Sequence, residues 1–439
     1  MLKLMFLCVL LVLGSFAFAG GQEGQPAAEG SEDAKPAELW VVYRAPIWHD
    51  RWMAPNVGEF QEMYPHISIK FQHIPHAEYT YKLQLMFASG DSADVVDLNL
   101  NQNYDYYASQ DLLTDLLPMT MEAGIPLVEF EESIIQRLQR HGGLHMLPAA
   151  THPGPAGLFY NKTIFDEVGM SYPSDSWTYD DLTEAALKLT ERDSDGRITR
   201  FGTDAPSRWS VNHTVLHSFG GGWIDSETGT RSLLLDDGTV EAYQWLYDLY
   251  HTHQVSPQTA QMVGQNRGKA FAAGQTAMRF GGAWELGNVR NGMAEGNEAA
   301  VGLAPIGPAG RVSSQGPHDS WAVPKAAANP EAALLYVQWL MSDDMLERVV
   351  AEGLGLSTKN KINEIPEYAN DPWLGPFIEL QLAGNFLPPP IPGNFRSGEM
   401  RNAVDPALDP VWLGELPLEE GLQAAHEALQ AVLDKPSAE

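Results

Sequence analysis

The sequence predicts an α/β protein of two lobes with a cleft between them, and three observations carry that prediction. Apolar strands and amphipathic helices alternate from Leu39 to Leu98, the order of a parallel sheet covered by helices. An extended passage, His152-Pro153-Gly154-Pro155, then interrupts the chain, and its two prolines forbid a helix and remove ladder donors. Beyond it a second strand-and-helix unit begins with Leu158-Phe159-Tyr160, Asn161-Lys162 and the apolar Ile164, Phe165 and Val168. The chain leaves one folded unit, crosses in extended form and starts another.

Each element has its own signal. Leu39-Trp40-Val41-Val42-Tyr43 is an apolar strand, and the helix after it must end before Pro65. His66–Ile74 alternates, with Ile67, Ile69 and Phe71 on one face, the period of a half-buried strand. Tyr79, Leu83, Met86 and Phe87 mark a helix that stops at Ser89-Gly90-Asp91, and Val95–Leu98 reads as a short buried strand. Gly142-Gly143 reads as a turn, and Leu144–Leu147 as a strand that stops at Pro148. Thr178 and Asp181 have the spacing of a capping box, and Val240–His251 is helical. Asn329 as cap, Pro330 as first helical residue, and Leu334, Leu335, Val337, Trp339 and Leu340 specify another helix. The last helix carries Leu418, Leu422, Ala425, Leu429, Val432 and Leu433 on one face.

Composition narrows the function classes. Of 439 residues, 44% are hydrophobic and 10% aromatic, which fits a globular chain and not a disordered one. A formal net charge of -30 repels nucleic acid and anionic lipid alike. Lys3, the apolar run Leu4–Leu13 and Ala17-Phe18-Ala19 have the layout of a signal peptide cleaved near Ala19. Its apolar run is too short to span a membrane. A lipid anchor would need a cysteine where Gly20 stands, and Cys8, the only cysteine, lies inside the leader. A periplasmic, exported protein without disulfide or thiol chemistry is expected. Gly20–Pro36, rich in Gly, Glu, Ala, Pro and Ser, reads as a flexible tether.

Catalytic signatures do not accumulate. The sequence holds no Gly-rich dinucleotide loop, phosphate loop, His-Glu-x-x-His helix or Gly-x-Ser-x-Gly elbow. Its 57 acidic residues make any chosen carboxylate pair uninformative, and the histidines lack ligand spacing. Asp193-Ser194-Asp195-Gly196 looks like a calcium loop, yet the twelfth position counted from Glu191 is Gly202 and not glutamate; a solvated turn fits better. No enzyme activity, cofactor or metal is expected.

Aromatic and amide side chains gather instead at loop tips. Gly281-Gly282-Ala283-Trp284-Glu285 lies where the strand Ala277–Phe280 turns into a helix. Glycines there admit close approach of a ligand to the backbone, and the first N–H groups of the helix point outward. A sugar ring has an apolar C–H face and an edge of hydroxyls, so it suits a tryptophan plate ringed by polar groups. From the residues alone, packing of Trp284 between helix and sheet weighs equally. Trp209 divides the same way, and Trp223 reads as structural. In open α/β sheets ligands bind beyond the carboxyl ends of the strands. This singles out Arg44, Trp48 and His49 after the first strand, and Asn101, Gln102 and Asn103 in the loop after the third. Asp319, where the chain crosses again, and Arg396, after the stiff stretch Pro388–Pro392, complete the candidates.

Gly157-Leu158-Phe159-Tyr160-Asn161-Lys162, with Phe165, Gly169-Met170, Pro173 and Trp177-Thr178, resembles the signature of the extracellular solute-binding proteins of family 1, the sugar-binding components of ABC importers. Phe271–Met278, Gly282-Ala283-Trp284, Val323-Pro324-Lys325 and Asn329-Pro330-Glu331 are similar to that family too. The resemblance implies a periplasmic-binding-protein type II fold, two α/β lobes on a hinge. It implies capture of a mono- or oligosaccharide by closure, delivery to a membrane permease, a monomer, and a stacking role for Trp284. It also implies second and third crossings, near Ser314–Ser320 and after Met341. The expected division is a leader at 1–19 and a tether at 20–37, a first lobe from 38–150 and 316–344, and a second from 151–315 and 345–439. Relatives hold a charged pair where Asn101–Asn103 stand, which leaves the sugar open. The rival readings are an exported carbohydrate-active hydrolase and the same fold with a peptide or polyamine ligand.

Overall fold

The structure is a computed structural model that describes residues 35–437 apart from 100–103, 123–124, 152–155, 207–210, 259–266, 312, 315–318, 383–385, 388–389 and 391. The expected leader and nearly all of the tether lie outside the described residues. The chain runs β1 (Ala37–Tyr43), α1 (Ala54–Met63), β2 (Ile67–His73), α2 (His76–Ser89) and β3 (Val95–Leu98). A hairpin of β4 (Gln139–Arg140) and β5 (Gly143–Leu144) precedes β6 (Leu147–Thr151). Next come β7 (Gly157–Asn161), α3 (Lys162–Glu167), α4 (Tyr179–Leu189), α5 (Asp237–Tyr247), α6 (Arg267–Ala272), β8 (Met278–Gly281), α7 (Leu286–Gly292) and β9 (Ala299–Leu303). The chain then passes β10 (Ser313–Ser314), β11 (Asp319–Ala322), α8 (Pro330–Leu340), α9 (Asp343–Ala351), β12 (Leu356–Ser357) and α10 (Gly375–Leu382). It ends with β13 (Phe386–Leu387), α11 (Ser397–Trp412) and α12 (Leu418–Leu433).

Local chemistry sets many of these boundaries. Gly90 takes φ 72° and stops α2, a left-handed cap that glycine adopts without a Cβ clash. The capping box of α4 forms in both directions: Thr178 Oγ1 accepts from the Asp181 N–H, and Asp181 Oδ2 accepts from the Thr178 N–H at 2.8 Å. Asn161 caps α3 by accepting from the Ile164 N–H. Asn329 departs from its expected role. It occupies the cap position of α8, but its side chain donates to the Glu38 carbonyl at 3.1 Å instead of capping.

Among the described residues the first lobe holds a six-stranded sheet in the order β12-β6-β11-β3-β1-β2. β1 pairs in parallel with β2 and β3, as the alternation of strands and helices predicts. β11 runs antiparallel to both β3 and β6, so the sheet is mixed and not purely parallel. The reason is topological: β11 enters from the second lobe at the edge where β1 and β3 end, and it must run against them. β6 continues through Pro148, contrary to the sequence expectation. The register against β11 shifts between Asp319 and Ser320 beside it, a bulge of the kind that accommodates a residue without an N–H.

The second lobe is built on a sheet ordered β8-β7-β9, antiparallel throughout. The period-two alternation of β7 divides its side chains between two cores. Leu158 and Tyr160 join the cluster of α4, α5, α11 and α12, whereas Phe159 joins the cluster of the first lobe. Phe377 of α10 meets Phe159 there, ring centroids 6.5 Å apart.

The segment 345–378, which the sequence reading places in the second lobe, packs on the first. Met345, Leu346, Val349 and Val350 of α9 and Leu356 of β12 are buried in the first cluster, and the Trp52 indole N–H donates to the Met345 carbonyl at 2.7 Å. Consequently the third crossing does not follow Met341. It falls near β13, which pairs in parallel with β10 of the second crossing.

Candidate functional site

The ends of β1, β3 and β6 and the start of β11 share one edge of the first sheet, and this edge faces the crossings. Arg44, immediately after β1, is buried there and forms ion pairs with both Asp97 of β3 and Asp319 of β11. Its backbone N–H also donates to Asp97 Oδ2 at 3.3 Å. Two sequence candidates, Arg44 and Asp319, are thus brought together, but by each other and by Asp97. Burial pushes the Asp97 carboxyl up, against the pull of Arg44. This triad ties two strands of the first lobe to the returning chain. An aspartate inside the apolar run Val95–Leu98 is the local signal of such a buried partner.

Trp48 turns inward. It is 3% exposed and meets Trp52 edge-on at 5.3 Å, so it is a core residue and presents no plate to a ligand. His49 stacks on Tyr43 with ring planes 5° apart and centroids at 5.2 Å, and its Nδ1 lies 2.7 Å from Asp50. It therefore stays at the sheet edge, half-buried and edge-on to Phe71. Asn101, Gln102, Asn103 and Trp209 lie outside the described residues.

On the second lobe, Trp284 sits in a short 3-10 turn between β8 and α7. Its ring lies over the Gly282 backbone, where a Cβ would collide with it, so the glycine is a steric requirement of the indole's placement. Trp284 is half-buried, whereas Trp223 is 8% exposed and donates to the Tyr243 hydroxyl at 3.0 Å, as a structural tryptophan should. Beside Trp284, the Glu285 carboxylate accepts from Arg279 of β8 at 2.9 Å through Oε1. Its Oε2 and the Arg279 Nε are buried without a hydrogen-bond partner. Asp204 pairs in turn with Arg267 at the start of α6. Burial pushes both the Glu285 and the Asp204 carboxyls up, with the arginines opposing it. Two local features mark this group, an arginine interrupting the apolar strand and a glutamate following the tryptophan. Nothing local marked Asp204.

Arg396 is held by Glu399 at 2.6 Å and by the Pro436 carbonyl at 3.0 Å, so its guanidinium is engaged with the second lobe's own surface. The Asp193 turn closes on itself: Oδ1 accepts from the N–H groups of Asp195 and Arg197 at 3.0 and 2.8 Å. Among the described residues no group of three or more His, Cys, Asp or Glu is placed to hold a metal ion, and no helix is long and apolar enough to cross a membrane.

The sequence model of the bacterial extracellular solute-binding proteins matches residues 45–347. An arabinooligosaccharide-binding protein of Halalkalibacterium halodurans is 27% identical over 206 residues, 46% of this chain and 44% of that protein; the chain thus aligns with less than half of that relative's length. An ABC substrate-binding protein from Listeria monocytogenes, solved in complex with cycloalternan, has a TM-score of 0.79 at 21% identity, over 91% of this chain and 99% of that one. Maltose-bound MalE3 of T. maritima has a TM-score of 0.73 at 19% identity, over 90% of this chain and all of that one. At such identities the structural likeness speaks for the fold alone: two α/β lobes of the type II periplasmic-binding arrangement.

Proposed function

Since the chain belongs to the bacterial extracellular solute-binding proteins, we propose that it captures an oligosaccharide between its lobes and hands it to the permease of an ABC importer. The observation that carries this reading is the group around Trp284. A half-buried indole packed against a glycine stands beside a carboxylate and a guanidinium that each keep one buried polar atom without a partner. A ring with an apolar face and an edge of hydroxyls matches both parts, stacking on the indole while its hydroxyls donate to Glu285 and accept from Arg279. The names of its relatives support the ligand class. Arabinooligosaccharide, cycloalternan and maltose are what those proteins bind or hold. The protein works as an exported one; the periplasm and a monomeric state are our reading. Ligand that touches both lobes stabilises only the closed arrangement and so shifts the population toward it.

The test is a tryptophan-fluorescence titration against arabino-, manno- and malto-oligosaccharides, with the sugar recovered and sized afterwards. Quenching with unchanged sugar is expected. Shortened sugar would establish a hydrolase, and binding of peptide or spermidine with no sugar would overturn the ligand class. Trp284→Ala is expected to cost about 2–4 kcal/mol of binding, roughly 30- to 1000-fold in affinity, with the melting temperature kept. Normal affinity with a collapsed melting temperature would make Trp284 a core residue.

A further inference from the structure

Among the described residues only four that are not glycine have positive φ, and two of them, His141 at 51° and Phe395 at 57°, touch each other. Their rings meet edge-on, with centroids 5.2 Å apart and planes inclined by 69°. His141 stands at the tip of the β4–β5 hairpin, whose neighbours Leu138 and Leu144 lie in the first core. Phe395 belongs to the second lobe. Asn394 beside it donates to the carbonyls of Val432 and Leu433 at the end of α12, and the Gly393 N–H donates to the Gly229 carbonyl at 3.0 Å. The contact therefore joins one core to the other without passing through a crossing strand.

We propose that His141 and Phe395 form a closing contact, through which the two lobes hold one another across the cleft. This rests on the reading that the lobes open and close. A bulky side chain in the left-handed region is strained, and glycine or asparagine would relieve the strain. A phenylalanine held there by an anchored backbone has its ring aimed by that strain, and the ring's partner lies on the opposite lobe. The histidine is aimed in the same way. It is followed by Gly142, also left-handed at φ 79°, and its Nε2 lies 3.4 Å from Asp105. A second approach between the lobes involves other residues. Arg401 of α11 is near enough to His76 of α2 to add to the effects of burial and Arg44 in lowering that histidine's pKa, with Asp97 opposing them. Neither ring belongs to either core, so the packing of the two cores does not depend on the pair.

The experiment places spin labels on exposed positions of the two lobes, Tyr81→Cys on α2 and Leu187→Cys on α4, in a Cys8→Ser background, and measures the distance distribution without ligand. Phe395→Gly removes the ring and relieves the backbone together. Its population at the longer distance is expected to rise about 3- to 10-fold relative to the shorter one, as loss of one aromatic pair predicts, and its melting temperature is expected to hold or rise. His141→Ala is expected to match it, the double variant to add nothing further, and His141→Phe, which keeps an aromatic pair, to stay near the parent distribution. Unchanged distances in both single variants, or a melting temperature that falls in Phe395→Gly while distances stay put, would overturn the proposal. The distances are read without carbohydrate, so a failed sugar screen would leave this result standing.

Discussion

Arg44 illustrates how a candidate ligand contact can be consumed by the protein itself. With Asp97 and Asp319 buried around it, Arg44→Met would leave two carboxylates in the core without their cation. Removing one partner of a buried ionic group typically costs about 3–5 kcal/mol. Denaturant titration should show that loss, and Asp97→Asn with Asp319→Asn in the same chain should recover much of it. His217 supports a pH prediction. Burial lowers its pKa to about 4, with a hydrogen bond at Gly221 opposing, whereas the unfolded chain protonates near 6.5. The unfolded state therefore binds more protons between those values, and stability is complete above pH 6.5 and lost as pH falls toward 4. Melting curves from pH 7.5 to 4.5 should show a loss on the order of 2 kcal/mol that His217→Gln reduces. Neither role was readable from sequence, because a residue's partners across the sheet are fixed by the fold and not by its neighbours in the chain.

At the level of elements, sequence and structure agree wherever the signal is local. The strands β1 to β3, the left-handed stop at Gly90 and the capping box of α4 all stand within a residue or two of their expected places. Thr178→Ala should cost about 1 kcal/mol by removing one half of that box, a drop in melting temperature that Asp181→Asn would only partly reproduce. Agreement fails where a tertiary partner decides. Pro148 ends no strand because β6 itself bulges beside it, where its register against β11 shifts. Asn329 makes no side-chain cap, its amide being oriented instead so that Nδ2 donates to the Glu38 carbonyl. At the candidate site the tryptophan was legible from its glycine neighbours. The Glu285–Arg279 pair was half legible, and the His141–Phe395 contact was not legible at all, since 254 residues separate its members.

The whole molecule is more entangled than two lobes on a string. Its first core takes in residues of β7, α6 and α7 as well as α9 and β12, and β10 and β13 run side by side where the second and third crossings pass. A chain cut after residue 311 would keep β3 and β6 but lose β11, the strand that lies between them. Limited proteolysis of that fragment should digest residues 35–151 quickly; a protected first half would refute this account. The same strand order sets a timetable for synthesis. The half of the protein that is made first has a slot in the middle of its sheet, and the strand that fills it appears only after β7, β8 and β9 of the second lobe have been made. A nascent chain that cannot complete its amino-terminal half early remains threadable for longer. For an exported protein, that delay is written into strand order and not into any single residue.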